Sequence, residues 1–472
     1  MKKLENYGLT IPKILLPNEK INLEKWAVIA CDQFTQDRDY WKKVEDFVGN
    51  EESTLKITLP EVYLNDGDKE SRIENINSTM EKYLNNGVFA KPIENMIYIE
   101  RKTAYGRIRR GLIAAIDLEK YDWNFETKAM IRATEATILE RIPPRVEIRK
   151  NASVELPHIM LLVNDKDKSF IEKTGELAKK QSEKPLYQTN LMMNSGSISS
   201  WKVDNSLVEE NILPSLEKIA TQQSQNDEGK NDENIFMFAV GDGNHSLATA
   251  KTIWNKLKEN GAPLDSPARY ALVEIVNIYD EGLTFEPIHR VLFNTDAKEL
   301  LENLAANLGG KLVDIATEKE LQDAVENSNK NCGANFGFVY SENDKSPTGI
   351  AGSKETKRYT LLKTDITDLA VSHLQPALDE FLAKHGNKKD DIDYIHGSDE
   401  VFRLGGAKSN GSKSIDSKSA DDVPSAISIL LPPIAKDSFF STIAKSGSLP
   451  RKSFSMGEAS EKRFYMESRK IK

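Results

Sequence analysis

A short run of small and polar residues, Gly241 to His245 (GDGNH), has the composition of an anion-binding turn. We call these residues the GDGNH turn. Glycine lets a backbone approach a ligand closely, and the first N–H groups of a following helix lack internal partners. Those N–H groups and the helix dipole favour a phosphate or a carboxylate. The turn therefore predicts an anion site, formed by Gly241, Asp242, Gly243, Asn244, His245 and Ser246.

The residues around the GDGNH turn predict a strand before it and a helix after it. Residues 235–240 (IFMFAV) are apolar and short enough to form a buried strand. Leu247, Ala250, Trp254 and Leu257 follow at helical spacing. The turn matches neither GxxxxGK[ST] nor GxGxxG, and a capped βα turn is common in α/β proteins, so spacing alone leaves a purely structural role equally open. His245 favours the ligand role, because an imidazole at a helix start can bind an anion or move a proton.

An arginine-rich segment, residues 129–151, is the second candidate for a site. A helix is predicted to begin at Pro143-Pro144, which would bring Arg145 and Arg149 onto one face. A guanidinium fork suits phosphates and carboxylates. The alternative is a solvated arginine face paired with the glutamates of the same segment, and both interpretations stay open. The candidate site residues here are Arg132, Glu135, Arg141 and Arg145.

Polar residues in apolar surroundings give further candidates. His289 and Arg290 lie within the apolar stretch 285–293 and need partners, so they form either a satisfied core pair or part of a site. Asp32 and Gln33 follow a predicted strand and either touch a ligand or form a turn and a helix cap. Arg107, Arg109 and Arg110 alternate with apolar positions, a pattern that predicts exposed basic residues on a sheet face.

The composition bounds the class of protein. A net charge of −9 over 472 residues argues against general nucleic-acid or acidic-membrane binding. Cys31 and Cys332 lie far apart without a CxxC motif, which predicts neither a disulfide framework nor a zinc ribbon. No apolar run reaches the length of a membrane span, and the N-terminus lacks a signal-peptide pattern. We expect a soluble, cytoplasmic protein, whose oligomeric state the sequence does not predict.

The order of elements predicts an α/β or α+β fold with mixed sheets, helices and at least two lobes around the central strand–glycine turn–helix unit. The ligand would lie between lobes, where the GDGNH turn faces the arginine-rich segment. Polar residues 221–234 are expected to be mobile. The predicted divisions are an N-terminal lobe (1–151), a central region (152–404), a disordered loop (405–422) and a C-terminal segment that packs back on the body (423–472).

Five stretches together resemble the family known as domain of unknown function 1015. They are WAVIACDQFTQDRDYW (26–41), GDGNHSLATAK (241–251), EPIHRVLF (286–293), YIHG (394–397) and LPRKSF (449–454). The joint occurrence and order are specific, although no single motif is. The resemblance covers nearly the whole chain, but the family name carries no activity.

Many members of that family have DGHHR where this chain has residues 242–246. DGHHR is similar to the signature of the ParB/sulfiredoxin-like fold, which includes free serine kinases and proteins that bind ATP, ADP or CTP. This similarity implies ATP or ADP with Mg²⁺ as cofactor, with His245 on a phosphate and Asp242 on Mg²⁺ or the substrate hydroxyl. The chain departs from the pattern, because Asn244 replaces a histidine and Ser246 replaces the arginine. The arginines that would supply the lost charge are Arg132, Arg141, Arg145 and Arg290.

Two functions from different classes follow. Phosphoryl transfer needs positive charge at the phosphates and a carboxylate for the hydroxyl, and Asp242, His245 and Glu135 are the catalytic candidates. The first hypothesis is a nucleotide-dependent kinase for serine or another small hydroxy compound. The second is a non-catalytic nucleotide- or phosphate-binding sensor, favoured by the missing motif arginine. Metal-dependent hydrolysis by His245, His289 and His396 lacks a supporting HExxH pattern.

Overall fold

A computed structural model describes residues 2–226, 235–328, 333–343, 355–386, 391–407 and 426–472. Of the segment 221–234, predicted to be mobile, residues 221–226 belong to a helix and the others lie outside the described residues. Most of the loop 405–422, predicted to be disordered, also lies outside them. Within the described ranges, no helix combines the length and the apolar content that crossing a bilayer requires.

Many of the strands have only two to four residues, and they are distributed along the described parts of the chain. In chain order they are β1 (Leu9–Thr10), β2 (Lys13–Ile14), β3 (Val28–Ile29), β4 (Ile93–Glu94), β5 (Met96–Lys102), β6 (Ile108–Asp117), β7 (Tyr121–Asp122), β8 (Ile131–Ala133), β9 (Val154–Glu155), β10 (Met160–Val163), β11 (Tyr187–Asn190), β12 (Ser197–Val203), β13 (Phe238–Asp242), β14 (Tyr270–Asn277), β15 (Phe285–Pro287), β16 (His289–Leu292), β17 (Lys311–Ile315), β18 (Asn335–Asn343), β19 (Glu355–Lys363), β20 (Ile392–Ile395), β21 (Ile427–Leu430), β22 (Phe454–Met456), β23 (Phe464–Tyr465) and β24 (Arg469–Lys470).

The helices alternate with these strands, which confirms the predicted α/β or α+β class with mixed sheets. They are α1 (Lys2–Glu5), α2 (Leu23–Trp26), α3 (Arg38–Val48), α4 (Lys69–Asn85), α5 (Ile142–Arg149), α6 (Ile171–Gln181), α7 (Asn205–Leu207), α8 (Leu213–Asn226), α9 (Asn244–Glu259), α10 (Ala297–Asn307), α11 (Glu318–Glu326), α12 (Ala370–Lys384), α13 (Ser398–Leu404) and α14 (Lys436–Ser446).

Two compact units make up the chain. The first contains Met1–Thr284, Ser446–Ser448 and Met456–Lys472, and the second contains Phe285–Lys445 and Leu449–Ser455. The divisions predicted from the sequence, 1–151, 152–404, 405–422 and 423–472, stay predictions about which segments fold as separate lobes.

The first unit is built on a mixed ten-stranded sheet in the order β11-β12-β5-β6-β14-β10-β13-β8-β7, with β1 also paired to β6. Strand β10 is parallel to β14 and antiparallel to β13, whereas β13 is parallel to β8. Phe238, Ala239 and Val240 of β13 are fully buried, as the apolar run predicts. Leu247 and Trp254 of α9 bury their side chains in the same core. The predicted strand–glycine turn–helix unit is therefore part of this sheet and its core, with β13 between β10 and β8.

The second unit contains a six-stranded sheet in the order β17-β19-β18-β21-β16-β20. The strand pairs that join it are antiparallel. Its core contains the apolar faces of α10 and α12 together with Phe336 and Phe338 of β18. From residue 297 onwards, helices and strands alternate as α10, β17, α11 and β18.

Arg109 corrects the prediction of an exposed basic sheet face. Its side chain is 4% exposed and lies 3.2 Å from Glu274 of β14, which is itself fully buried. Arg107 and Arg110 are partly exposed and pair with Glu461 and Asp280. Alternation with apolar residues identified the face on which Arg109 lies, but the buried carboxylate that neutralises it comes from a strand far away in sequence.

Candidate functional site

The GDGNH turn connects β13 to α9 in a conformation that glycine favours. Gly243 has a φ of +82°, and a Cβ atom there would lie 3.0 Å from the Cα atom of Ile159. The Gly243 N–H donates to Asp242 Oδ1 at 2.9 Å. Helix α9 then runs for 16 residues from Asn244, so its unpaired first-turn N–H groups lie directly after the turn.

Asp242 has a cationic partner from the C-terminal part of the chain. Lys462 Nζ lies 3.2 Å from Asp242 Oδ2, and the two side chains are 12% and 22% exposed. An ammonium group has three donors, so one contact with Asp242 leaves others for a ligand. The lysine thereby brings positive charge to the turn.

Two short strand pairs hold the C-terminal segment 456–472 beside the turn. Strand β23 pairs with β3, with Phe464 opposite Ile29 and Tyr465 opposite Val28. Strand β24 pairs with β9, with Arg469 opposite Glu155. Because β3 leads into Asp32 and β9 leads into His158, the same segment that carries Lys462 also organises a second group of polar residues.

Asp32 and His158 form the centre of this second group. His158 Nε2 lies 3.5 Å from Asp32 Oδ2. Gln33 Nε2 donates to Asp32 Oδ1 at 3.0 Å. Tyr465 connects His158 to the backbone, because its hydroxyl lies 3.0 Å from His158 Nδ1 and accepts the Cys31 N–H at 3.1 Å. Both oxygens of Asp32 thus face polar neighbours.

The charges around Asp32 keep it ionised. Burial by itself raises its pKa, but His158, the hydrogen bond from Gln33, Lys462 and Arg145 together hold the pKa below its ordinary value. Burial, assisted by Asp32 and Glu61, raises the pKa of the adjacent Cys31 thiol to about 12. The group therefore contains a stable carboxylate and a protonated thiol, which is not a nucleophile at neutral pH.

Helix α5 carries arginines towards the same region and packs against α9. It begins at Ile142 with prolines in its first turn, as predicted. Arg145 forms an ion pair with Glu61, and its second terminal nitrogen donates to the Arg141 carbonyl at 2.9 Å. Burial raises the pKa of Glu61, and Arg145 opposes that shift. Arg149 pairs with Glu155, so neither arginine uses the glutamates of its own segment proposed as partners in the solvated-face alternative.

His245 is a neutral imidazole beside these arginines. Its Nε2 accepts the Ile138 N–H at 3.2 Å. Burial, Arg145 and Arg141 lower the pKa of His245 to about 4. The influence of both arginines on His245, and of Arg145 on Asp32, indicates that the turn and the arginine-rich segment converge on one region of the first unit.

Other residues predicted for this region have different surroundings. Arg132 is buried, donates to the Ala129 carbonyl at 2.8 Å and lies over the Phe236 ring. A Cβ atom on Gly241 would lie 2.7 Å from the Met456 sulfur, so this glycine is required for close packing. Glu135 and Ser246 are partly buried near the end of β8 and at the start of α9.

Two solvent-shielded polar atoms near His245 have no hydrogen-bond partner among the residues that the structure describes. They are the amide oxygen of Asn244 and the hydroxyl of Thr137, next to Ile138. Buried polar atoms are normally paired. A ligand with both donors and acceptors would satisfy them.

His289 and Arg290 lie in the second unit, within β16, and each has partners there. His289 Nδ1 accepts the Leu431 N–H at 3.1 Å, and burial with the Arg290 charge lowers its pKa to about 3. Arg290 donates to Gln375 at 2.9 Å and lies over the Tyr394 ring. Their contacts resemble those of a satisfied core pair. Their role as ligand contacts stays a prediction.

No group of three or more His, Cys, Asp or Glu side chains is arranged to hold a metal ion in the described part of the chain. The hydrolytic trio of His245, His289 and His396 accordingly has no geometric support there.

Lys462, His158 and Tyr465 were missed by sequence reasoning. None belongs to a recognised motif, and Lys462 and Tyr465 lie in a polar tail. The short apolar run of Phe464, Tyr465 and Met466 between charged residues was the available sign that this tail forms a strand. Asp32 was found, but with the turn-and-cap interpretation left open beside it.

Residues 14–380 match the family described as "Protein of unknown function (DUF1015)". The chain belongs to this family. The matched range includes the segments 26–41, 241–251 and 286–293 that carry the resemblance, whereas 394–397 and 449–454 lie beyond it. No curated protein matches this DUF1015 chain by sequence.

Several solved structures are similar to the DUF1015 chain at low identity. A mutant of free serine kinase in complex with AMP has 11% identity and a TM-score of 0.34, covering 76% of this chain and 92% of that one. A conserved hypothetical protein from Pyrococcus furiosus has 10% identity and a TM-score of 0.30, covering 73% and 90%. C-terminally truncated SbnI from Staphylococcus aureus has 8% identity and a TM-score of 0.30, covering 73% and 83%.

Proposed function

We propose that the first unit binds a nucleotide, ATP or ADP, at the GDGNH turn and transfers a phosphoryl group to serine or another small hydroxy compound. The observation that carries the proposal is the convergence of Lys462, Arg145, His245 and the ionised Asp32 at the start of α9. Cations, helix N–H groups and one carboxylate for a hydroxyl are the parts that phosphoryl transfer requires.

Phosphates would be bound by four kinds of donor. The first-turn N–H groups of α9 are oriented for an anion, and the helix dipole adds to them. Lys462 has donors that Asp242 does not use. Many family members have an arginine at the position of Ser246. Arg145, with Arg141 beside it, would supply the positive charge that Ser246 lacks. The neutral His245 has its Nδ1 left to donate, since its Nε2 accepts a backbone N–H.

Asp32 is the carboxylate proposed for the hydroxyl. With ATP as the donor, the hydroxyl oxygen attacks the γ-phosphorus, the new O–P bond forms, and the bond from the γ-phosphorus to the β–γ bridging oxygen breaks. The hydroxyl proton passes to Asp32, and ADP leaves with the electron pair. Asp242 keeps Lys462 and the Gly243 N–H in position, and Glu135 remains a candidate for orienting the acceptor.

Magnesium is proposed to arrive with the nucleotide. Mg²⁺ in such complexes takes most ligands from phosphates and water and one or two carboxylates from the protein. The partly exposed Asp242 fits the role of that carboxylate, in keeping with the lack of an all-protein metal cluster among the described residues. The ion would neutralise phosphate charge when bound.

Binding is tested first by thermal shift with ATP, ADP, CTP, GTP and AMP, each with and without Mg²⁺. A ligand that binds the native state raises the Tm by mass action. We expect ATP or ADP to raise it, and His245→Ala to reduce the shift. If none of the five nucleotides raises the Tm, the proposal is refuted.

Turnover is tested with ATP and a panel of small hydroxy compounds that includes serine. Asp32→Asn should abolish transfer and retain the nucleotide-dependent Tm shift. Asp242→Asn should also abolish transfer while leaving the fold intact, and full activity in either variant would exclude that residue from the mechanism.

A second candidate function is a nucleotide- or phosphate-binding sensor that uses the same turn without catalysis. Ser246, in place of the arginine of the family pattern, favours it because a strong phosphate contact is absent. A sensor would show the Tm shift but neither hydrolysis nor transfer with any acceptor.

A further inference from the structure

The hydrogen bonds of Tyr465 determine which nitrogen of His158 carries a proton. The Cys31 N–H can only donate, so the Tyr465 oxygen, 3.1 Å away, accepts that bond. The Tyr465 hydroxyl also bonds to the Cys31 thiol, but sulfur is a weak acceptor, so His158 Nδ1 at 3.0 Å is the stronger acceptor for the hydroxyl hydrogen. With Nδ1 as the acceptor, a neutral His158 carries its proton on Nε2.

Nε2 is the nitrogen that faces Asp32. It lies 3.5 Å from Asp32 Oδ2, a distance that suits a charge contact and exceeds a good hydrogen bond. Catalytic hydrogen bonds are often long without substrate and tighten when it binds. Gln33 holds the other oxygen of Asp32 at 3.0 Å. The carboxylate is thus held from both sides, by an amide and by an imidazole.

We propose that His158 is a positioning residue, held by Tyr465 as the Nε2–H tautomer, that orients the Asp32 carboxylate towards the substrate hydroxyl. This inference rests on the proposed phosphoryl transfer. The chain of contacts therefore links the C-terminal segment to the reacting carboxylate.

The same groups determine the expected pH dependence. Those that face Asp32 are His158, Gln33, Lys462, Arg145 and Glu61, with Cys31 beside it. Transfer requires ionised Asp32, so the rate falls as the pH drops through its pKa. His158 lowers that pKa. Removing His158 should therefore move the acid limb of kcat to higher pH.

The tautomer is tested without activity, by ¹⁵N NMR of histidine-labelled protein. The His158 signals are assigned from their loss in His158→Gln. We expect the Nε2–H pattern in the wild type and its loss in Tyr465→Phe. Tyr83→Phe is the matched control, because it also removes a buried hydroxyl that bonds to backbone, at Ser53. An Nδ1–H pattern in the wild type overturns the proposal.

The effect on the reaction is measured in parallel. His158→Gln should lower kcat about tenfold to a hundredfold, a small effect for a group near acid–base chemistry, while the KM for the nucleotide changes little. His373→Gln is the control, because His373 pairs with Asp368 at 2.6 Å in the second unit. An unchanged kcat and acid limb in His158→Gln overturns the positioning role. A wild type without transfer activity refutes the proposed function instead, and the NMR result then decides the tautomer alone.

Discussion

Lys462 lies 3.2 Å from Asp242, although the two residues come from distant parts of the chain. Asp242 is the last residue of β13 in the ten-stranded sheet, and Lys462 precedes β23 in the C-terminal segment. The contact places an ammonium group at the N-terminus of α9, where an anionic ligand would also be attracted. Asp242 and Lys462 therefore neutralise each other, and a bound phosphate would be a second anionic partner for Lys462.

Replacing Lys462 by Met should weaken nucleotide binding about tenfold to a hundredfold, the equivalent of one hydrogen bond to a charged group. Isothermal titration calorimetry with ATP measures the change. Lys470→Met is the matched control, because Lys470 is an exposed lysine of the same C-terminal segment. Equal affinity in Lys462→Met and the wild type would remove Lys462 from the ligand site.

Arg463→Met should destabilise the first unit by about 3 kcal/mol or more, because it removes a buried cation that helps to neutralise two buried carboxylates. Arg463 lies 2.8 Å from Glu274 and also pairs with Glu467, and both glutamates are fully buried. Urea denaturation measures the loss. Arg72→Ala breaks a largely exposed pair with Asp68 and should cost less than about 1 kcal/mol. A similar loss of unfolding free energy in the two variants would contradict the prediction that a buried ion pair costs more to break than an exposed one.

His245 should make the protein less stable in mild acid. Its pKa is lowered from 6.5 to about 4 in the folded protein, so the unfolded chain binds the proton first as the pH falls. The stability is fully present above 6.5 and is lost as the pH falls towards 4.

His245→Gln keeps an acceptor for the Ile138 N–H but cannot titrate. The difference in urea midpoint between about pH 7 and about pH 5 should therefore be smaller in this variant than in the wild type. Ser246→Ala, a neighbouring change without a titrating group, should retain the wild-type difference. An identical pH response in His245→Gln would show that the imidazole is not held neutral.

Gly243→Ala should cost about 1–2 kcal/mol from the positive φ alone, with a further loss from the contact of the new Cβ with Ile159. Gly261→Ala is the matched control, because Gly261 has a φ of +83° with no atom within 4 Å of its Cβ position. The difference between the two urea midpoints isolates the effect of close packing. Equal losses would mean that the turn tolerates the Cβ.

The sequence by itself determined the local units of this DUF1015 protein. The apolar run of β13, the glycine turn, the periodic face of α9 and the prolines at the start of α5 are all visible within short windows. Local structure follows such windows because backbone preferences and hydrophobic periodicity act between neighbours in sequence. This is why the GDGNH turn and Arg145 were found before the structure.

Only the tertiary structure decided which distant residues join that turn. Asp32, His158, Lys462 and Tyr465 meet because two short strand pairs, β23 with β3 and β24 with β9, align the C-terminal segment with two other segments. Strands of two residues carry almost no periodic signal, and the partner of a strand depends on packing across the whole unit. The burial of Arg109 against Glu274 was hidden for the same reason, since a charge is stable inside only where its partner is brought to it.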